Sequence, residues 1–345
     1  MSQQTYYNTK DITSVLCSML ESAHARRVFI VHGKGSYVAC GAAEIIKNAC
    51  GGLQMSEFVD FSINPKEEEA QKGVQCMLEV TPDVILAVGG GSAMDTSKLI
   101  RHYAAEQGYK VPLWAIPTTA GTGAEATHFA VVYKNGVKHS MEADDILPDV
   151  AILYAPFTYG NNAYLTACTG FDALAQAIEA FWNPKATDES RLYSRRAIEM
   201  IYPQLPECIA HPEQTNLRDE ILQGAYWAGC AINITKTTAP HAFSYVFTSK
   251  YGYPHGHAVA LTFPFFMKLN GTQNLFELLG MSAANAMEQM EKYIASLGLS
   301  LQLPRSVDVD SELQAVNMQR LSNNPVKVTP EITTELAEYM KSHQA

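Results

Sequence analysis

Residues 84–98 read VILAVGGGSAMDTSK, an apolar β-type run that ends in three glycines and opens into a helical pattern. This stretch constrains the fold most, because a buried strand, a tight turn and a helix N-terminus in that order build a phosphate site. Gly89, Gly90 and Gly91 carry no Cβ, so the backbone can come close to a bulky anion. Ser92 is expected to cap the helix, whose free N–H groups and positive dipole end favour a diphosphate. Dinucleotide binding is the first expectation.

The same alternation runs through the first half. Residues 27–31, 58–61, 83–88 and 113–116 read as strands, and 38–50, 66–80 and 92–107 read as helices. Such alternation predicts an α/β domain, a Rossmann-like parallel sheet with helices on both faces. Ligands then bind beyond the carboxyl ends of the strands, where the turns HGKGS and GGGS fall. After about residue 156 the spacing becomes helical, over 162–182, 188–202, 217–236 and 275–297. The expected architecture is a dinucleotide-binding domain over 1–155 and an all-α helical domain over 156–345, with a site between them.

Composition narrows the function. The chain has 345 residues, a net charge of -10 and no basic stripe with interleaved aromatics, which argues against nucleic acid. No apolar run is long enough to span a membrane, and the first residues lack the pattern of a signal peptide. The 7 cysteines form no CxxC pair and fit reduced thiols, so the cytoplasm is the expected compartment.

Two further motifs carry chemistry. PTTAGTGAEATH, residues 117–128, offers the hydroxyls of Thr118, Thr119 and Thr122 between glycines that turn tightly, either as a polar connector or as a second cofactor loop. In TGFDALAQAIEAF, Asp172 and Gln176 are four apart and share one helix face, although Thr169 and Asp172 also match a capping pattern. His241 and His255 follow, and one carboxylate with two imidazoles is a common divalent-metal set. Gln176 adds only a neutral, weaker amide oxygen. Each histidine alone also reads as a core residue; the combination points to a metal.

On GKGS at 33–36, GGGSAMDTSK at 89–98, PTTAGTGAE at 117–125, LPDVAI at 147–152, TGFDAL at 169–174, His241 and PHG at 254–256, the chain resembles the iron-containing (group III) alcohol dehydrogenases. The resemblance spans essentially the whole length and extends to the related glycerol dehydrogenases and dehydroquinate synthases. It implies a dinucleotide domain, a helical domain, and a divalent metal, Fe2+ or Zn2+, on Asp172, His241 and His255. It also implies that Lys138 lies near the cofactor ribose; Asp95 is expected to face the same cavity. Relatives commonly form dimers or larger assemblies, so a homo-oligomer is expected. Most of the family has His where this chain has Gln176, and a further His where it has Tyr245. The glycerol dehydrogenase branch binds its metal with one Asp and two His.

DALxQAIEAFW followed by DESR, with TAPHAxSYxxT and GYPHGHAVAL, resembles one branch in particular, the phosphonoacetaldehyde reductases. This implies hydride transfer to a short aldehyde, giving 2-hydroxyethylphosphonate. Water, Tyr245 or His257 delivers the proton, and Arg191, Lys236 and His257 are the candidates for holding an anionic tail. NAD-preferring relatives tend to have an acid where this chain has Gly33, so Lys34 and Ser36 are expected to favour NADPH over NADH. The alternatives are reduction of another short aldehyde, oxidation of a polyol, a dehydroquinate-synthase-like lyase, and a silent binding homologue.

Overall fold

Short, fully apolar strands need cover on both faces, and in the first unit they receive it. The computed structural model describes residues 4–316 and 318–345. The chain divides into two units, Met1–Asn161 and Asn162–Ala345. The first is built on strands β1 (Thr5–Asn8), β2 (Arg27–His32), β3 (Gln54–Phe58), β4 (Val84–Gly89), β5 (Leu113–Pro117), β6 (Phe129–Lys134), β7 (Val137–Glu142) and β8 (Val150–Leu153). Six of them form one parallel sheet in the order β1-β8-β5-β4-β2-β3.

Every residue of β4 is buried. Its alternate side chains enter two cores: Ile85 and Ala87 pack with Phe29 and Val31, while Leu86 and Val88 pack with Val28 and Ile30. Burying each large side chain contributes roughly 1.5–3 kcal/mol. The register sets His32 beside Val88 and Gly89 beside Pro117. The turns that follow β2, β4 and β5 therefore emerge together at one edge of the sheet.

Several elements depart from the sequence expectation. The helix expected over 38–50 breaks at Gly41, whose φ of +80° separates Ser36–Ala39 from Ala42–Ala49. The strand expected over 58–61 lies earlier, at Gln54–Phe58, where it pairs with β2. β6 and β7 form an antiparallel hairpin across Asn135 and Gly136, both at positive φ, the signature of an Asn-Gly hairpin turn. β8, just before the expected division at 155/156, lies where no strand was expected, and β1 pairs with it.

The second unit contains eleven α-helices among the described residues, from Ala163–Trp182 to Pro330–Lys341. The expected helix over 275–297 is interrupted: Gly280, at φ +63°, ends Gln273–Leu279, and a new helix runs over Ala286–Ser296. Among the described residues no helix is long and apolar enough to cross a membrane.

Candidate functional site

The second unit gathers the expected ligands. Asn162 caps the helix Ala163–Trp182 by accepting from the Leu165 N–H at 2.8 Å, so the Thr169–Asp172 capping alternative fails and Asp172 lies in mid-helix. His241 enters from the first turn of Ala239–Tyr251, and His255 begins His255–Ala260 directly after Pro254. Their nitrogens and the Asp172 carboxylate lie within 4.8 Å of one another. His241 Nε2 is 3.1 Å from Asp172 Oδ1, and His255 Nε2 is 3.9 Å from the same oxygen.

Gly256 explains how His255 comes so close. A Cβ there would lie 1.8 Å from the Cys168 carbonyl oxygen, so only glycine lets the short helix press against Ala163–Trp182. Asp172 and His241 are buried, whereas the His255 side chain is 31% exposed and leaves the group open on one side. One carboxylate oxygen and two imidazole nitrogens fit a divalent ion with room for a further ligand.

One member of this group was not foreseen. Glu179, fully buried, accepts from Thr238 N at 2.5 Å and Thr238 Oγ1 at 2.7 Å, and it meets His241 Nδ1. Its sequence signal is its place seven residues after Asp172 on the same helix face. Burial works against an imidazolium at His241, but Glu179 and Asp172 outweigh it and hold the pKa at about 10. The cluster favours positive charge.

The other candidates fall at different distances from the trio. Gln176 is buried one turn beyond Asp172 on the same helix. The Tyr245 ring stacks on His255 with centroids 6.0 Å apart. His257 has both nitrogens engaged: Nε2 donates to the Ser300 carbonyl at 2.7 Å, so Nδ1 accepts from Tyr164 Oη at 2.8 Å. That pairing makes His257 a strut between two segments, in place of the proton donor or anion contact expected of it. Lys236 is exposed and ends its helix at a φ of +63°, a strained conformation for a residue with a Cβ. Arg191 stands exposed on Asp188–Ile201 and is not brought into the ligand group.

In the first unit the two glycine–threonine turns lie against each other. A Cβ on Gly90 would meet Thr119 Oγ1 at 3.1 Å, and one on Gly91 would meet Thr122 Cγ2 at 3.0 Å. Thr118 N donates to the Gly89 carbonyl at 3.0 Å. The buried Thr118 Oγ1 meets no partner among the described residues, as suits a hydroxyl held ready for a ligand. Ser92 does not cap its helix. Gly90 holds the N-cap position without a side-chain bond, and the Ser92 hydroxyl is drawn off to the Ile63 carbonyl. Segment 61–66 and the β6–β7 turn beside it line an open cavity of about 620 Å³.

Beneath the turn lies a second buried cluster. Lys98 Nζ donates to Thr127 Oγ1 and to the Phe129 carbonyl, both at 2.9 Å, and Asp95 Oδ2 accepts from Val131 N at 3.2 Å. Burial raises Glu125 to about 7 and Asp95 to about 6 and lowers Lys98 to about 8. Lys138 is among the charges that act on Asp95, which joins two of the expected cofactor residues. At the neighbouring turn, Lys34 Nζ is 3.9 Å from Asp60, and a Cβ on Gly33 would meet Ser36 Oγ at 2.7 Å.

Residues 4–155 match the model of the iron-containing alcohol dehydrogenase family, and residues 166–333 match its C-terminal domain. The chain belongs to this family. It is 30% identical to the NAD-dependent methanol dehydrogenase of Bacillus methanolicus, over 81% of this chain and 82% of that protein. It is 26% identical to the sulfoacetaldehyde reductase of Bilophila wadsworthia, over 78% of this chain and 75% of that one. The solved sulfoacetaldehyde reductase of Bifidobacterium kashiwanohense, in complex with NAD+, superposes with a TM-score of 0.92 at 26% identity, covering 99% of this chain and 98% of that one. The chain is thus an oxidoreductase of the alcohol dehydrogenase and aldehyde reductase type.

Proposed function

We propose that this enzyme reduces a short aldehyde with an anionic tail, at the expense of NAD(P)H and with a divalent metal. Phosphonoacetaldehyde is the first candidate substrate, and 2-hydroxyethylphosphonate the product. The observation that carries the reading is the Asp172–His241–His255 group, buried except on the His255 side, whose donor set suits Fe2+ or Zn2+. Two similar proteins are sulfoacetaldehyde reductases, which supports an aldehyde with a tetrahedral anionic end, sulfonate or phosphonate. An ion bound at this site would supply Lewis acidity to the carbonyl, and the reduced nicotinamide would supply the hydride.

The chain's own groups do the remaining work. Asp172, His241 and His255 hold the ion, with Gln176 proposed as a supplementary neutral donor. Partly exposed His255 and its stacked neighbour Tyr245 mark the side open to substrate, and the Tyr245 phenol is the proposed proton donor to the nascent alkoxide. Gly89, Gly90 and Gly91 let the backbone approach the coenzyme diphosphate, and Thr118, Thr119 and Thr122 offer hydroxyls to it. Asp95 and Lys138 are proposed to face its ribose. Lys236, two residues before the Thr238 that Glu179 grips, is the proposed partner of the anionic tail ahead of Arg191. Lys34 pairs with Asp60 only at an exposed surface, where ion pairs are weak, and so remains available to a 2′-phosphate. We therefore expect NADPH to be preferred to NADH.

The test is oxidation of NADPH and of NADH by the iron-, zinc- and manganese-loaded enzyme. Phosphonoacetaldehyde, sulfoacetaldehyde, acetaldehyde and propionaldehyde serve as substrates. The anionic aldehydes should give the higher kcat/KM. Equal or better turnover of the neutral aldehydes would remove the anionic-tail reading. Failure of all four with every metal would remove the reductase reading itself.

A further inference from the structure

We infer that Glu179 is a positioning residue for the metal centre: it fixes the tautomer of His241 and brings the second negative charge that a divalent ion needs. The inference rests on the reading of Asp172, His241 and His255 as ligands. The hydrogen-bond directions follow one from another. Trp182 Nε1–H donates to Thr238 Oγ1 at 3.1 Å, so that hydroxyl directs its own proton to Glu179 Oε2 at 2.7 Å. The Thr238 backbone N–H donates to the same oxygen at 2.5 Å. With both Thr238 donors on Oε2, Oε1 is left to accept from His241 Nδ1–H. The lone pair needed for a metal is thereby assigned to Nε2, the nitrogen that faces Asp172.

Charge gives an independent reason. Two neutral imidazoles and the amide of Gln176 bring no charge, so Asp172 alone would leave a divalent ion half-neutralised in a buried site. With Glu179 the sum reaches zero. The carboxylate also sits at the N-terminus of Ala239–Tyr251, where the helix dipole favours it. Because Thr238 and His241 belong to that same first turn, one carboxylate fixes both the helix start and the ligand it carries.

The experiment is titration of the metal-free chain with Zn2+ against a chromophoric chelator, for the unaltered protein, Glu179→Gln and Thr238→Val. The unaltered chain should take up one zinc. Glu179→Gln should bind it about 10- to 100-fold more weakly. Thr238→Val, which removes one hydroxyl donor and keeps the shape, should weaken it about 5-fold, the loss of a single hydrogen bond. Nitrogen-15 imidazole spectra of the zinc-loaded unaltered chain should show the His241 proton on Nδ1. Should Glu179→Gln fail to fold, Thr238→Val and the spectra decide. Zinc uptake by the unaltered chain, with affinities in the folded variants within 2-fold of it, would overturn the role of Glu179 alone. So would a His241 proton on Nε2. Absence of zinc uptake by the unaltered chain would instead overturn the ligand trio, and the inference with it.

Discussion

The Lys98 cluster of the first unit and the Asp172 cluster of the second both take carboxylates out of water, and they balance them differently. Around Lys98, desolvation is the largest influence on every member: Glu125 and Asp95 are pushed up and Lys98 is pushed down, so each group is drawn toward its neutral form. Around His241 the carboxylates prevail over burial and hold a proton on the ring up to about pH 10. The first cluster carries its own cation and fastens a helix to the loop and hairpin beside it. The second is two carboxylates closing on imidazoles, an arrangement that draws in a cation. Buried charge alone therefore does not mark a metal site; its sign after internal pairing does.

The most severe way to break that contrast is Asp172→Ala. It removes the oxygen that both imidazoles face and should abolish retention of zinc or iron. Activity should fall by about 10³-fold or more, corresponding to the several kcal/mol that a Lewis acid contributes. Circular dichroism should stay that of the folded chain, because the sheet of the first unit and the Lys98 cluster do not include Asp172. Retained metal, measured by elemental analysis, would show that the trio is not the site.

Next in size is Gly256→Ala. The added Cβ would lie 1.8 Å from the Cys168 carbonyl, a backbone atom that cannot rotate away. Thermal unfolding should show a loss of about 1–3 kcal/mol or more, the usual cost of overpacking. Zinc affinity should fall with it, since His255 is the neighbouring residue. Gly35→Ala is the control, as nothing lies within 4 Å of the position its Cβ would take. Comparable stability of the two variants would mean that the close approach at Gly256 is not needed.

These two positions also show what could be read from the chain and why. Asp172, His241 and His255 were legible because a carboxylate and two imidazoles suit a divalent metal and stand in motifs that resemble a known family's, although 69 residues separate Asp172 from His241. GGGS and PTTAGTG were legible as glycine- and threonine-bearing turns at strand ends. Gly256 was legible only as part of a motif; the clash that requires it appears once Cys168 is opposite. Glu179 was not legible, since its partner His241 is 62 residues away and no local pattern joins them. Ser92 failed for the same reason: the Ile63 carbonyl, 29 residues earlier, takes its hydroxyl from the capping role. The β6–β7 hairpin was missed although Asn135-Gly136 is a strong turn signal and β6 carries the apolar run FAVV, because β7, VKHSME, is largely polar and exposed and does not read as a sheet strand.

A subtler test sharpens the other half of the comparison. Burial raises the Glu125 pKa from 4.5 to about 7, so between those values the native chain binds more protons than the unfolded one. Stability from this group is therefore greatest near pH 4.5 and declines as pH rises through 7. Asp95, raised from 3.8 to about 6, adds in the same direction. Lys98, lowered from 10.5 to about 8, acts oppositely, and its contribution recovers as pH rises above 8. Urea midpoints of the metal-free chain and of Glu125→Gln, measured from pH 4.5 to 7, should diverge, with the variant losing less as pH rises. Parallel curves would show that Glu125 titrates as if in water.

The smallest effect is expected at the edge of the first unit, in coenzyme choice. Gly33 has no left-handed φ to preserve, and the atom nearest an added Cβ is the Ser36 hydroxyl, the end of a side chain that can turn aside. Gly33→Asp should therefore fold with an unchanged melting temperature. A carboxylate at this turn would pair with a ribose 2′-hydroxyl and repel a 2′-phosphate. The ratio of kcat/KM for NADPH to that for NADH should shift about 10-fold toward NADH, a change of about 1.4 kcal/mol. Metal content should not change, because the substitution is remote in sequence from every ligand and adds no clash with the backbone. If the ratio stays fixed, Gly33 does not face the ribose, and the 2′-phosphate must be read by some group other than Lys34. If zinc content changes as well, the two units are coupled more tightly than their separate charge clusters imply, and the contrast between them has to be redrawn.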